Sequence, residues 1–177
     1  SADAHPLADP RAHLIIDDAR NALLRWSQSA RRTYDLIISQ PSHPWLSGMS
    51  YLYTTEHFKL VRKNLAKNGL FCQWINLFRM DEKGLRALLA AFAQVFSTLH
   101  IFQPDSSSLL LIGAKHAFWV NPRVISRRLE EKRFSKHAGR FGIRLSDVLL
   151  AYRLNTKAIQ RLTRNVRPNS DRHPIVE

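Results

Sequence analysis

The sequence predicts an α/β domain over residues 1–114, followed by a basic helical extension over residues 115–177. Three observations carry this. Short apolar runs bounded by turn residues alternate with stretches of helical periodicity up to residue 114. The first of those runs ends in paired acids, Asp17 and Asp18. Beyond residue 114 the character changes, and 15 Lys and Arg face only 5 Asp and Glu.

Taken in order, residues 12–17 (AHLIID) read as a strand, and residues 21–29 place Ala22, Leu23 and Trp26 on one helical stripe. Residues 34–39 (YDLIIS) read as a second buried strand. It runs into a loop where Pro41 and Pro44 exclude regular structure. Thr54 or Thr55 is suited to cap a helix carrying Phe58, Leu60, Val61 and Leu65, with Glu56 favourable in its first turn. Asn68 and Gly69 read as the stop of that helix. Residues 70–76 form a third strand, and Asp81 caps a helix whose Leu85, Leu88, Leu89, Phe92 and Phe96 recur at helical spacing. Residues 99–103 and 108–113 read as two strands of a hairpin. Asn121 and Pro122 open a basic helix to about Lys132, residues 146–152 and 156–162 suggest two short helices, and residues 167–177 an extended tail.

Composition narrows the classes. A 45% hydrophobic fraction with 10% aromatics argues against a disordered chain. No apolar run approaches the roughly 18 residues of a membrane span, and the first ten residues lack the basic and apolar regions of a signal peptide. Cys72 is the single cysteine, so a reducing, cytoplasmic compartment is expected. Residues 1–114 carry a net +3 and residues 115–177 a net +10. Such a tail can attract nucleic acid or an anionic membrane face; a solvated Arg-rich face is the plainer reading. No metal-ligand spacing exists among the eight histidines, and no G-x-S-x-G elbow accompanies the serines.

Several motifs at the right spacing resemble one family. Asp9, Pro10 and Arg11 followed by Asp17, Asp18, Ala19 and Arg20 are similar to the third strand of the polyamine aminopropyltransferases, whose usual form ends in Gly-Asp-Ala/Gly-Arg. Residues 34–38, then Ser39, Gln40, Pro41, Ser42, His43, Pro44 and Trp45, resemble the fourth strand and active-site loop. In the branch often fused to membrane segments that loop reads Ser-Glu-Pro-Ser-Asn-Pro-Trp. Tyr53, Thr54, Glu56 and Phe58, then residues 68–74, match the next helix and fifth strand. Residues 169–174 resemble the closing Asn-Thr-Asp-Asp-x-Pro.

The resemblance to the spermidine synthase-like family implies a partial Rossmann-like, methyltransferase-type fold comprising strands 3 to 7 of a seven-stranded sheet. It implies aminopropyl transfer from decarboxylated S-adenosylmethionine to a polyamine. By alignment Asp18 accepts from the adenine amino group and Ala19 lends backbone; Asp18 is equally placed to cap the following helix. Gln40 stands where a carboxylate base is expected. An amide has no basic site near neutral pH, so it can bind an amine without deprotonating it. His43 could stand in as base or simply pack between its prolines; the latter is favoured. Gln73 faces the same pocket or makes structural hydrogen bonds. Trp45 and Tyr53 wall an amine site or join the core.

The family's Gly-rich turn and its ribose-binding acid have no counterpart among these residues. The class orders its strands 3-2-1-4-5-7-6, so strands 1 and 2 separate residues 12–17 from residues 34–39. The first run is therefore expected to pair directly with the second or to be poorly ordered. The expectation is a domain inactive by itself, completed by a missing N-terminal half or a second copy. The rival readings are a non-enzymatic basic module and the cytosolic domain of a larger membrane protein.

Overall fold

A computed structural model describes residues 9–28, 33–41 and 49–175. Helix α1 (Ala19–Gln28) leads to strand β1 (Tyr34–Ser39). A short 3-10 helix (Ser50–Tyr53) precedes α2 (Thr55–Asn64), β2 (Leu65–Asn76) and α3 (Glu82–Val95). The hairpin β3 (Thr98–Asp105) and β4 (Ser108–Ala114) follows. Then come α4 (Pro122–Glu130), α5 (Lys132–Arg140), α6 (Leu145–Ala151), β5 (Tyr152–Asn155) and α7 (Thr156–Leu162).

The sheet order is β1-β2-β4-β3-β5, with β1 and β2 parallel and the remaining pairs antiparallel. Its first four strands reproduce the 4-5-7-6 side of the methyltransferase-type order, so the fold is a partial Rossmann-like one. Residues 12–17 do not supply the further strand that their composition suggests. They take no strand, and Ile16 is 94% exposed. They do not pair with the open edge of β1, so their N–H and C=O groups have no strand partner among the described residues. Among the described residues β1 pairs on one side only, and Leu36 and Ile38, on the same face of the strand, are 54% and 65% exposed.

Register places Ile37, Phe71, Ile75, Leu111 and Leu99 on one face of the sheet, where α2 and α3 cover them. Phe58, Phe71, Phe92 and Phe96 form its centre, with ring centroids 4.8 to 6.1 Å apart. A Cβ at Gly113 would fall 2.7 Å from the Phe96 ring, so the aromatic cluster needs a glycine on β4. Thr54 caps α2 by accepting from the His57 N–H, and Asp81 caps α3 by accepting from the Gly84 N–H.

Three boundaries differ from the expectation. Helix α2 stops at Asn64, not at Asn68 and Gly69, because buried Asn64 donates to the carbonyls of Leu23 and Leu60 and Leu65 enters β2 directly. Gly69 lies instead within β2, where a Cβ would meet the Tyr34 carbonyl at 2.6 Å; it permits the close approach of β1. The basic segment also breaks at Glu131 into α4 and α5, and Tyr152 begins β5.

Candidate functional site

The C-terminal end of β1, the N-terminus of α1 and the first turns of α2 enclose a cleft of about 400 Å³. Ala22, Leu23, Trp26, Leu52 and Val61 give it apolar walls, while Asp17, Ser39, Gln40 and His57 give it polar points. The chain reaches this place because β1 is parallel to β2. Its carboxyl end opens onto the edge where α1 begins, the usual ligand position in such sheets.

Asp18 is the N-cap of α1. Its Oδ1 accepts from the Asn21 N–H at 2.8 Å, and its Oδ2 accepts from the Tyr51 hydroxyl at 3.0 Å. The Asn21 N–H, assisted by Tyr51, holds the carboxyl below the usual carboxylate range. Asp17 pairs with Arg25 and faces the cleft with Ala19. Gln40 is exposed on the rim.

The other expected site residues lie elsewhere. Gln73 is fully buried beside Ser39 on the neighbouring strand. Its Nε2 donates to the carbonyls of Ser39 (3.5 Å) and Trp74 (3.0 Å), and its Oε1 has no partner. Tyr53 is fully buried in the core, where burial pushes its hydroxyl pKa far up. His43 and Trp45 fall outside the described residues. The structure thus brings Ala19 and Gln40 to one cleft with Asp18 behind, and separates Gln73 and Tyr53 from it. Among the described residues no cluster of His, Cys, Asp or Glu could hold a metal.

Sequence reasoning missed His57, and it found the closing motif without its structural role. His57 is 2% exposed, lines the cleft floor, and leaves Nδ1 without a partner. Burial, reinforced by the Arg20 charge, lowers its pKa to about 4, so the imidazole is neutral. The signal was its spacing: residues 57, 61 and 64 fall on the inward stripe of α2.

The closing motif ties the tail to the site. Buried Asn169 donates through its backbone to Ala87 O and through Nδ2 to Tyr53 O, while its carbonyl accepts from the Thr55 N–H. Asp171 accepts from Thr54 Oγ1 at 2.7 Å and from Arg20, whose guanidinium also reaches the Tyr51 carbonyl. Residue 171 is thereby one side chain removed from the tyrosine that holds Asp18.

A half-sheet in 4-5-7-6 order, with a capped acid and a cleft at the end of its first parallel strand, defines a methyltransferase-type Rossmann-like domain. The spermine/spermidine synthase domain matches residues 1–104, and the chain belongs to that family.

Solved structures agree on the fold. A probable spermidine synthase from Corynebacterium glutamicum ATCC 13032 is 17% identical with a TM-score of 0.61, over 92% of this chain and 55% of that one. The Thermotoga maritima spermidine synthase is 14% identical with a TM-score of 0.60, over 89% and 51%. Human methyltransferase-like protein 13 in complex with SAH is 17% identical with a TM-score of 0.53, over 93% and 65%. The chain therefore spans about half the length of the two spermidine synthases. Comparison with curated proteins gives no match.

Proposed function

We propose that the cleft is the adenine end of a site for decarboxylated S-adenosylmethionine, and that Gln40 marks the seat of a polyamine acceptor. The observation that supports this most is Asp18, a carboxylate that caps α1 between Asp17 and Ala19, two residues lining a largely apolar cleft roomy enough for a heteroaromatic base. Flat apolar walls suit a heteroaromatic ring, and an acid accepts from its amino group. In the reaction the amine lone pair attacks the methylene carbon beside the sulfonium. A C–N bond forms, the C–S pair returns to sulfur, and the amine gives up a proton.

This chain is weakly equipped for that last step. The Gln40 amide can accept a hydrogen bond from the ammonium and fix its place, but it takes no proton near neutral pH. The adenine end is present, and the ribose and methionine ends have no counterpart among the described residues. The isolated chain is accordingly a binding half-site without transfer activity of its own.

The test is Gln40→Glu, assayed for methylthioadenosine release from decarboxylated S-adenosylmethionine and putrescine in a version of the domain carrying a donor-binding half. The variant should exceed the Gln40 form by roughly a hundredfold, the usual contribution of a placed base. Equal rates for both would show that residue 40 is not at the amine.

A further inference from the structure

Helices α4, α5 and α6 form an outcrop beside β3 and β5 in which no described side chain from 122 to 151 is buried. Helices of 9, 9 and 7 residues are too short to be stable in water by propensity alone, so tertiary burial must support them. The burial they reach within the chain is partial. Phe141 and Leu150 are each 72% exposed, Trp119 just before α4 is 76% exposed, and Val124, Ile143 and Leu149 are also open. Scattered apolar side chains on a surface are ordinary; this many within one short coreless segment are not.

Charge says what could cover them. Residues 122–151 carry 8 Lys and Arg against 3 acids. Two of those acids are already engaged, Glu131 by Arg128 and Asp147 by Arg144. The covering surface must therefore be both apolar and anionic. A second copy of this chain would oppose like charge to like. A nucleic acid would answer the arginines and leave Leu149, Leu150, Ile143 and Val124 in water. An anionic phospholipid bilayer answers both demands, because headgroups meet the cations while the aromatic and aliphatic tips enter the acyl boundary.

We infer that the α4–α6 outcrop is a peripheral docking surface for an anionic lipid bilayer. This function is separate from the cleft and does not depend on how the cleft is read.

The test is flotation of the 177-residue chain with phosphatidylcholine vesicles, with and without phosphatidylglycerol. Binding should require phosphatidylglycerol and weaken as salt rises. It should fall about fivefold for each of Arg127→Gln and Lys136→Gln. Phe141→Ser with Leu150→Ser should weaken it on the order of tenfold or more while thermal unfolding stays unchanged, since both side chains are already exposed. Vesicle-dependent blue-shifted tryptophan emission should be reduced in Trp119→Phe. Absence of binding, equal binding to neutral vesicles, a preference for oligonucleotides over the vesicles, or a dimer dispersed by Phe141→Ser would each overturn the inference.

Discussion

At the residue scale, His57 shows how a single inward position couples fold to pH. Its imidazole sits under the cleft with pKa lowered to about 4, chiefly by burial and then by Arg20. Unfolded, the same group titrates near 6.5. Between those values the unfolded chain takes up a proton that the folded chain refuses, so stability falls as pH falls across that window. The full effect is on the order of 3 kcal/mol. The neighbouring acids act elsewhere, because Asp18 and Asp171 titrate below their ordinary range and lose their contribution only at lower pH. His57→Phe should flatten the difference between urea midpoints measured at pH 7 and pH 4.5. An unchanged difference would place the sensitivity in another group. That Asp18 caps a helix and that Gln40 follows the strand at residues 34–39 was legible from the motifs. The place of His57 was not, since a histidine between Glu56 and Phe58 carries no motif and only its helical spacing marks it as inward.

At the element scale, local chemistry was readable wherever one residue decides a boundary. The strand at residues 34–39, the caps at Thr54 and Asp81 and the helix at residues 156–162 all form as their side chains dictate. Elements decided by distant partners were not readable. Asn64 ends α2 by bonding to Leu23 on another helix, and Tyr152 becomes strand because β3 offers an antiparallel edge. Helix α5 (KRFSKHAGR) is mostly polar, and Phe134 is the one large apolar side chain that could announce it.

The tail is the largest such case, since its polar sequence hides a fully buried Asn169 that joins α2 to α3. Asn169→Ala would leave the Tyr53 carbonyl without its Nδ2 donor and the Ile175 N–H without its acceptor. The cost should be about 2–4 kcal/mol. A urea midpoint lowered accordingly at unchanged slope would confirm it, whereas an unshifted midpoint would show that the tail is not a structural clamp.

At the scale of the whole molecule, the sheet follows one side of the methyltransferase-type strand order. The order 4-5-7-6 was foreseeable from the family's topology once the motifs were aligned, and the parallel edge at β1 follows from it. The fate of residues 12–17 turned on a neighbour rather than on composition. Their apolar side chains favour a strand, yet without a paired strand beside them Leu14, Ile15 and Ile16 stay exposed. Hydrogen exchange should therefore find the Leu14, Ile15 and Ile16 amides close to the rate of unstructured peptide, with residues 71–75 among the slowest. Strong protection of Leu14 and Ile15 would mean a pairing that this fold does not contain.

The central claim is that the cleft holds the adenine end of a sulfonium donor through Asp18. Calorimetric titration of decarboxylated S-adenosylmethionine into the chain and into Asp18→Ser tests it most directly, because serine still caps α1 but cannot present the second carboxylate oxygen. Weak binding to the unaltered chain, lowered about tenfold in Asp18→Ser, is the predicted result. No binding, or equal affinity in the two proteins, would contradict it.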